Sequence, residues 1–266
     1  MDGGVLENVK AFLIDMDGTL YVGKSPVKGA SETITFLREK SYKFRFVTNA
    51  TRRSRRSLCE RLKGLGFEVS ETEISSAPLA TARYVIKRAR ELGCEPRCFL
   101  LTTGDVHKDF EEAGVIITDD DPKFVILGDA GDNFTYASLN KAFRLVLSGA
   151  ELVAMEKDRY WMGSEGLMLG AGPFVAAVEY AAGVEAKVMG KPSKDFFELA
   201  LRDMGVKPEE TAVIGDDVIS DVAGGKKLGM KGILVKTGKF REEALEKAEI
   251  KPDLILESIA ELRVLV

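Results

Sequence analysis

The stretch Lys10-Ala11-Phe12-Leu13-Ile14-Asp15-Met16-Asp17-Gly18-Thr19 decides the fold. Its first half is a short apolar run of the kind that forms a buried strand in a parallel sheet, and Gly18 breaks it. Asp15 and Asp17 therefore emerge at the carboxyl end of a strand, where open α/β sheets keep their ligands. Two unpaired carboxylates at the mouth of a core repel each other and titrate upward, so a metal cation or a shared proton is needed to hold them together. A turn rich in Asp and Gly reads the same way in isolation, and the rest of the chain has to decide between the two.

Three more pieces stand at the ends of predicted strands. Thr48-Asn49 follows Tyr42-Lys43-Phe44-Arg45-Phe46-Val47 and offers a hydroxyl and an amide suited to an oxyanion. Gly190-Lys191-Pro192 follows Lys187-Val188-Met189 and supplies a fixed positive charge. Gly215-Asp216-Asp217 follows Thr211-Ala212-Val213-Ile214, with Ser220-Asp221 close behind, and adds a second acidic cluster. Acids for a divalent metal, a hydroxyl and a lysine are the parts that phosphoryl transfer requires.

Strand and helix patterns alternate along the chain, which predicts a doubly wound, mainly parallel α/β sheet covered by helices. Helices are expected over Ser31 to Lys40 and Ser54 to Lys63. The middle repeats the alternation in its own right: helix near Ala80 to Leu92, strand near Cys98 to Leu101, helix near Asp105 to Ala113, strand near Phe124 to Leu127, helix near Tyr136 to Leu147 and strand near Leu152 to Ala154. That is a second α/β domain of ordinary size. The chain is then expected to re-enter the first domain through Gly170-Ala171-Gly172-Pro173 and a helix to Ala182. The expected division is 1–78 for the first core segment, 79–178 for the inserted domain and 179–266 for the second core segment.

Composition excludes several classes. At 266 residues, with 45% hydrophobic and 30% charged residues, the chain can bury one large core or two modest ones. A net charge of −4 and a pI near 5.4 give no general attraction to nucleic acid or an anionic membrane. A small anionic substrate must then be attracted locally, by a metal and Lys191. The N-terminal Met1-Asp2-Gly3-Gly4-Val5-Leu6-Glu7 lacks the basic start and apolar stretch of a signal peptide, and no run is long enough to span a bilayer, so a cytoplasmic location is expected. Cys59, Cys94 and Cys98 show no zinc-type spacing and read as reduced thiols. The absence of Gln and the four Asn, beside abundant Lys, Arg and Glu, resemble the bias of heat-adapted proteins.

Asp15-x-Asp17-Gly18-Thr19, Thr48, Lys191 and Gly215-Asp216-Asp217-x3-Asp221 together resemble the four ordered motifs of the haloacid dehalogenase superfamily of phosphatases. The long insertion between the second and third motifs is similar to that of the group holding the p-nitrophenyl phosphatases and NagD. The stretches Lys43 to Asn49, Arg159-Tyr160-Trp161, Gly166 to Leu169 and Gly232 to Lys239 resemble the phospholysine phosphohistidine inorganic pyrophosphate phosphatase branch. The resemblance implies a Rossmann-like core with a large α/β cap, a Mg²⁺ cofactor and hydrolysis of a small phosphorylated substrate, a phosphoramidate or pyrophosphate. It implies Asp15 as nucleophile, forming an aspartyl phosphate, and Asp17 as acid and base. By the same resemblance Mg²⁺ lies between Asp15, the main-chain carbonyl of Asp17 and Asp216, while Thr48, Asn49 and Lys191 bind the phosphoryl group. Asp221 would orient a water or Lys191, a role open equally to Asp217.

For the middle domain, the resemblance places substrate contacts at Asp129-Ala130-Gly131-Asp132 and at Glu156 to Trp161, with Asp129, Glu156 and Arg159 as specificity residues. Relatives acting on nucleotide and sugar phosphates show Asn where this chain has Glu156, which sets their substrates apart. The resemblance also admits a homodimer through the cap. Phosphoryl transfer to an acceptor other than water, or a noncatalytic regulatory protein keeping the fold, are the alternative readings. Gly170-x-Gly172 lacks the third glycine and strand-turn-helix context of a dinucleotide loop and reads as a turn. His107 reads as a surface residue, and the run Arg52-Arg53-Ser54-Arg55-Arg56 as a solvated helix start or an extension of the anion-attracting mouth beside Thr48.

Overall fold

The computed structural model describes residues 4–163 and 166–266; Met1, Asp2 and Gly3, part of the stretch read above for a signal peptide, lie outside them. The chain divides into two units. The core unit comprises residues up to Thr48, Leu58–Ser75 and Lys191–Val266, and the middle unit comprises Asn49–Ser57 and Ser76–Gly190.

The core unit is built on a six-stranded sheet, its strands numbered along the chain. β1 (Ala11–Asp15) lies centrally, between β13 (Thr211–Gly215) and β4 (Lys43–Thr48). β14 (Lys231–Val235) and β15 (Leu254–Leu256) continue the sheet beyond β13, and β5 (Ile74–Ser76) closes it beyond β4. β1 pairs with both its neighbours in parallel, as do β13 with β14 and β14 with β15. Every residue of β1 and β13 is buried, as strands covered on both faces must be, and this is why they read as unbroken apolar runs. Helices α1 (Ala30–Glu39) and α2 (Arg55–Gly64) fall within a residue of the positions expected from their apolar spacing. The short antiparallel pair β2 (Tyr21–Val22) and β3 (Ser25–Pro26) follows directly on the Asp17-Gly18 turn.

The middle unit has its own parallel sheet, ordered β12-β9-β8-β6-β7. Its strands are β6 (Arg97–Leu101), β7 (Ile116–Ile117), β8 (Phe124–Leu127), β9 (Glu151–Ala154) and β12 (Lys187–Val188). Helix α3 (Ala77–Leu92) starts under the Ser76 hydroxyl, which accepts from Leu79 N, and ends at Gly93 in the left-handed conformation. α4 (His107–Glu112), with the half-buried His107 at its start, and α5 (Tyr136–Leu147) follow. β10 (Tyr160–Gly163) and β11 (Gly166–Leu169) pair antiparallel as a separate two-stranded hairpin sheet.

The boundary expected at residue 178 is corrected. α6 (Gly172–Ala182) stays with the middle unit, where Val175 and Val178 are buried among Leu127, Val146 and Leu152 and Phe174 stacks on Phe134 at 3.8 Å. β12 then pairs with β9, so the return to the core unit comes between Gly190 and Lys191. Gly170 follows β11 and Gly172 opens α6, and both lie tight against the chain: an added Cβ would be 2.4 and 2.6 Å from Asp158 O. Gly190 is equally confined, since a Cβ there would meet Met155 O at 2.4 Å, Asn49 Oδ1 at 2.6 Å and Ala77 Cβ at 3.1 Å. The three cysteines are free thiols, Cys59 and Cys98 buried and Cys94 half-buried. No helix among the described residues is long and apolar enough to cross a membrane.

Candidate active site

Sheet register assembles the core acids. Asp15 is the last residue of β1 and lies opposite Val47, so Thr48 stands one step further along β4. Ile14 lies opposite Ile214, which brings Gly215 and then Asp216 to the same end of β13. Asp15, Thr48, Lys191, Asp216 and Asp221 are all buried there, Asp15 at 5% exposure and Asp221 at 1%. Adjacent parallel strands that stop together leave their following residues around one spot, which is the geometric origin of the cluster.

Lys191 binds the acids together. Its Nζ donates to Asp15 Oδ1 and to Asp221 Oδ1, both at 2.5 Å. Asp15 Oδ2 accepts from the Thr19 hydroxyl at 3.2 Å, so both oxygens of this carboxylate are oriented. Burial would depress the Lys191 ammonium, but the carboxylates of Asp15 and Asp221 hold it above the ordinary lysine range. Asp216 instead accepts from the main-chain amide of Lys239 and feels the pull of that residue's charge. Burial, then the neighbouring charges of Asp15 and Asp221, push its carboxyl up to about 8. Asp17 keeps solvent contact at the rim while mostly surrounded by protein; this desolvation, reinforced by Asp15, raises its carboxyl against the pull of Arg61, Lys239 and Lys191.

Single oxygens of Asp15, Asp216 and Asp221 lie within 4.8 Å of one another. Three buried carboxylates against one ammonium leave excess negative charge, and an all-oxygen donor set suits a hard divalent cation such as Mg²⁺. Asp217 is outside this cluster. Its Oδ1 accepts from Ile219 N at 2.9 Å and Ser220 N at 3.0 Å, capping the wide turn Val218–Ala223 that swings Asp221 back toward Lys191. Of the two acids left open by the sequence, Asp221 is the one gathered with Asp15 and Lys191.

Sequence reasoning marked Gly232 to Lys239 for its resemblance but gave no role in the site to Thr237-Gly238-Lys239, which follows β14. Lys239 N donates to Asp216 Oδ2 at 2.5 Å, and the Thr237 hydroxyl donates to Gly18 O at 2.5 Å. Gly18 and Gly238 both have positive φ, and a Cβ on either would come within about 2 Å of Asp216 Oδ2 (1.9 and 2.1 Å). Asp216 is thus clasped by two glycines that no side chain could replace. The only signal in the sequence was a glycine after a strand. Arg61 was also missed: its guanidinium lies over the Tyr21 ring at 4.7 Å and contributes to the electrostatics of Asp17.

The remaining candidates belong to the middle unit. Asn49 is grouped there, with Oδ1 close to Gly190, rather than with the core acids. Asp129 Oδ1 accepts from Arg52 Nη2 at 2.8 Å and from Gly131 N at 3.0 Å, and the Arg52 guanidinium lies over Trp161 at 5.1 Å. Arg52, first of the basic run, is therefore engaged with protein rather than simply solvated. Glu156, expected to confront a ligand, points inward. It is 4% exposed, and its two oxygens accept from the main-chain amides of Asp158 and Ala171. Burial, then the nearby charges of Asp158 and Asp129, raise its carboxyl to about 7 despite those amides. Arg159 is exposed at the start of the β10–β11 hairpin.

Two family models match this chain. The one described as haloacid dehalogenase-like hydrolase covers residues 12–116, and the one described as HAD-hydrolase-like covers 188–262. Haloacid dehalogenase-like hydrolase domain-containing protein 2 from Homo sapiens is 45% identical over 250 residues, spanning 94% of this chain and 93% of the relative. Phospholysine phosphohistidine inorganic pyrophosphate phosphatase from Homo sapiens is 37% identical over 97% of this chain and 94% of its own. The crystal structure of a 4-nitrophenylphosphatase from Thermotoga maritima superposes with a TM-score of 0.90 at 33% identity, covering 98% of both chains.

Proposed function

Because the chain belongs to the haloacid dehalogenase-like hydrolases, we propose that it is a Mg²⁺-dependent phosphatase that acts on a small phosphorylated substrate through an aspartyl-phosphate intermediate. The observation that carries this reading is Lys191 donating to both Asp15 and Asp221 beside a third buried acid, Asp216. A structural ion pair would need one acid per lysine; three are explained by a site that takes a cation and a phosphate together.

In the first step a carboxylate oxygen of Asp15 attacks phosphorus while the bond to the leaving oxygen breaks, and Asp17 delivers a proton to that oxygen. Asp17 then takes a proton from water as it attacks the same phosphorus, which frees inorganic phosphate and restores Asp15. The raised carboxyl of Asp17 suits it to hold a proton for the first step and accept one in the second. Lys191 orients Asp15 and offsets charge on the transferring group, and Thr48 and Asn49 donate to its oxygens. Magnesium, held by Asp15, Asp216 and the main-chain carbonyl of Asp17, would supply charge neutralisation at the phosphoryl oxygens. Asp221 positions Lys191, while Asp217 serves as the cap of the turn that carries Asp221.

The 37% identical relative is named for phospholysine, phosphohistidine and pyrophosphate, and this supports a phosphoramidate or pyrophosphate as substrate. Selectivity is assigned to the middle unit. Of the three residues weighed there, Arg159 is the one whose charge is presented to solvent. A panel of p-nitrophenyl phosphate, pyrophosphate, phospholysine and phosphohistidine, run with Mg²⁺ and with EDTA, tests the proposal. Phosphate release that requires metal and no added acceptor is expected; release unaffected by EDTA, or seen only with an acceptor, refutes it.

A further inference from the structure

The middle unit carries a second place where anions are called for. Along α3, Arg83, Lys87 and Arg90 recur at i, i+4 and i+7 and so lie on one helix face, and Arg55 joins them from the segment preceding α2's body. Together they line a groove of about 460 Å³ whose apolar wall includes Leu79 and Ile86. That volume falls within the range of small-molecule sites.

Three observations make this more than a solvated face. Like charges at i, i+4 destabilise a helix by a few tenths of a kcal/mol, so α3 carries a repulsion that a bound anion would relieve. Partial compensation exists: Lys87 approaches Glu91 at 3.7 Å and Arg55 approaches Glu112 at 3.9 Å, both long contacts with partners 48% and 59% exposed. The one buried acid in the wall, Asp109, accepts from the main-chain amide of Arg55 at 3.1 Å through both oxygens, so its charge is turned toward the backbone. Finally, Arg55 Nε is a buried donor without a partner in the protein, in the wall of this groove. An unmet buried donor costs free energy that an oxygen from a ligand would remove.

We infer that this groove binds a small molecule with at least two anionic groups and a flat apolar body, of the nucleoside diphosphate class. Arg83, Lys87, Arg90 and Arg55 would take the phosphate oxygens, and Leu79 with Ile86 the ring. Charge complementarity and the limited volume favour a small ligand over an extended one. The site shares no residue with the core acids.

Calorimetric titration with ADP in EDTA, using the full chain, tests this. Saturable one-to-one binding is expected, with adenosine not binding and inorganic phosphate binding more weakly. Lys87→Gln combined with Arg90→Gln should weaken ADP at least tenfold, Lys87→Arg should retain it, and both variants should leave kcat/KM on p-nitrophenyl phosphate unchanged; both positions of change are on the exposed surface, so the fold is kept. The inference is overturned if ADP binds the double variant as it binds the parent, if inorganic phosphate matches ADP, or if only RNA or anionic phosphatidylserine vesicles bind.

Discussion

The two units bury acids in opposite ways. In the core unit Asp15, Asp216 and Asp221 crowd one another beside Lys191, and burial, then that crowding, raises Asp216 to about 8. In the middle unit Glu156 is buried with two main-chain amides for company and rises to about 7. Both are costly placements for a carboxylate. The first leaves charge beyond what Lys191 offsets, which the proposed cation would neutralise; the second meets two main-chain amides supplied by the fold. Burial of an acid is thus not in itself a mark of chemistry. What distinguishes a reactive group is charge left uncompensated by the protein.

The largest effect follows from removing the attacking group. Asp15→Asn keeps the volume and the oxygen that Lys191 contacts but cannot form an acyl phosphate, and turnover of p-nitrophenyl phosphate should fall by about 10³-fold or more. A variant with a tenth of parental activity would break the assignment. Next is the metal. Mg²⁺ at a hundred times its dissociation constant should stabilise the folded protein by about 2.7 kcal/mol, read as a rise in melting temperature. Asp216→Ala should abolish that rise; an undiminished response would place the cation elsewhere.

A sharper contrast lies between neighbours. Asp221→Asn weakens the hold on Lys191 and should lower kcat with a smaller change in KM. Asp217→Asn should be close to neutral in both, because Asn caps a helical turn about as well as Asp. Equal losses in kcat from the two variants would erase the distinction. The smallest effect concerns Glu156. Its carboxyl in the folded state lies above the ordinary 4.5, so its favourable contribution is fully present below about 4.5 and is lost as pH rises through about 7. Glu156→Gln, permanently neutral, should lose this part of the pH dependence: its NH2 cannot accept from one of the two main-chain amides, which costs a constant amount, but its stability relative to the parent should rise by about 1–3 kcal/mol from pH 5 to pH 8. Parallel melting curves across that interval would show that Glu156 does not titrate there.

The core site was readable in the sequence because parallel strands buried on both faces are continuous apolar runs, and the polar residue that ends each run marks the sheet edge. Asp15, Thr48 and Asp216 were found in that way, and the register then brought them together. Other features depend on directions that a linear pattern does not carry. Gly170 to Pro173 announces a turn, but not that β12 will pair with β9 rather than rejoin the core sheet. Glu156 follows a strand just as Asp216 does, yet its side chain is turned to backbone amides by the packing of the Asp158 and Ala171 loops. The 237–239 segment acts through an amide and a glycine, groups whose role has no side-chain signature. Asp217 and Asp221 became separable only when the wide turn at Val218–Ala223 set which of them faces Lys191.

Gly190, pressed between Asn49, Ala77 and Met155, has a consequence for how this chain can be rearranged. Three of the four places where the polypeptide crosses the middle unit's bounds, at Asn49, Ala77 and Gly190, meet at that glycine; the fourth is Ser57. An insert whose ends touch adds little loop-closure entropy to its host, and its own termini can be spliced by a few residues without stretching. The continuous segment Ala77–Gly190 is therefore a transplantable cassette: its two ends meet, and an exchange with another insert of matching ends leaves every strand of the six-stranded sheet in place, Asn49–Ser57 keeping its own position in the chain. Replacing Gly190 with a larger residue would wedge the seam apart and cost the cassette that property before it disturbed any acid.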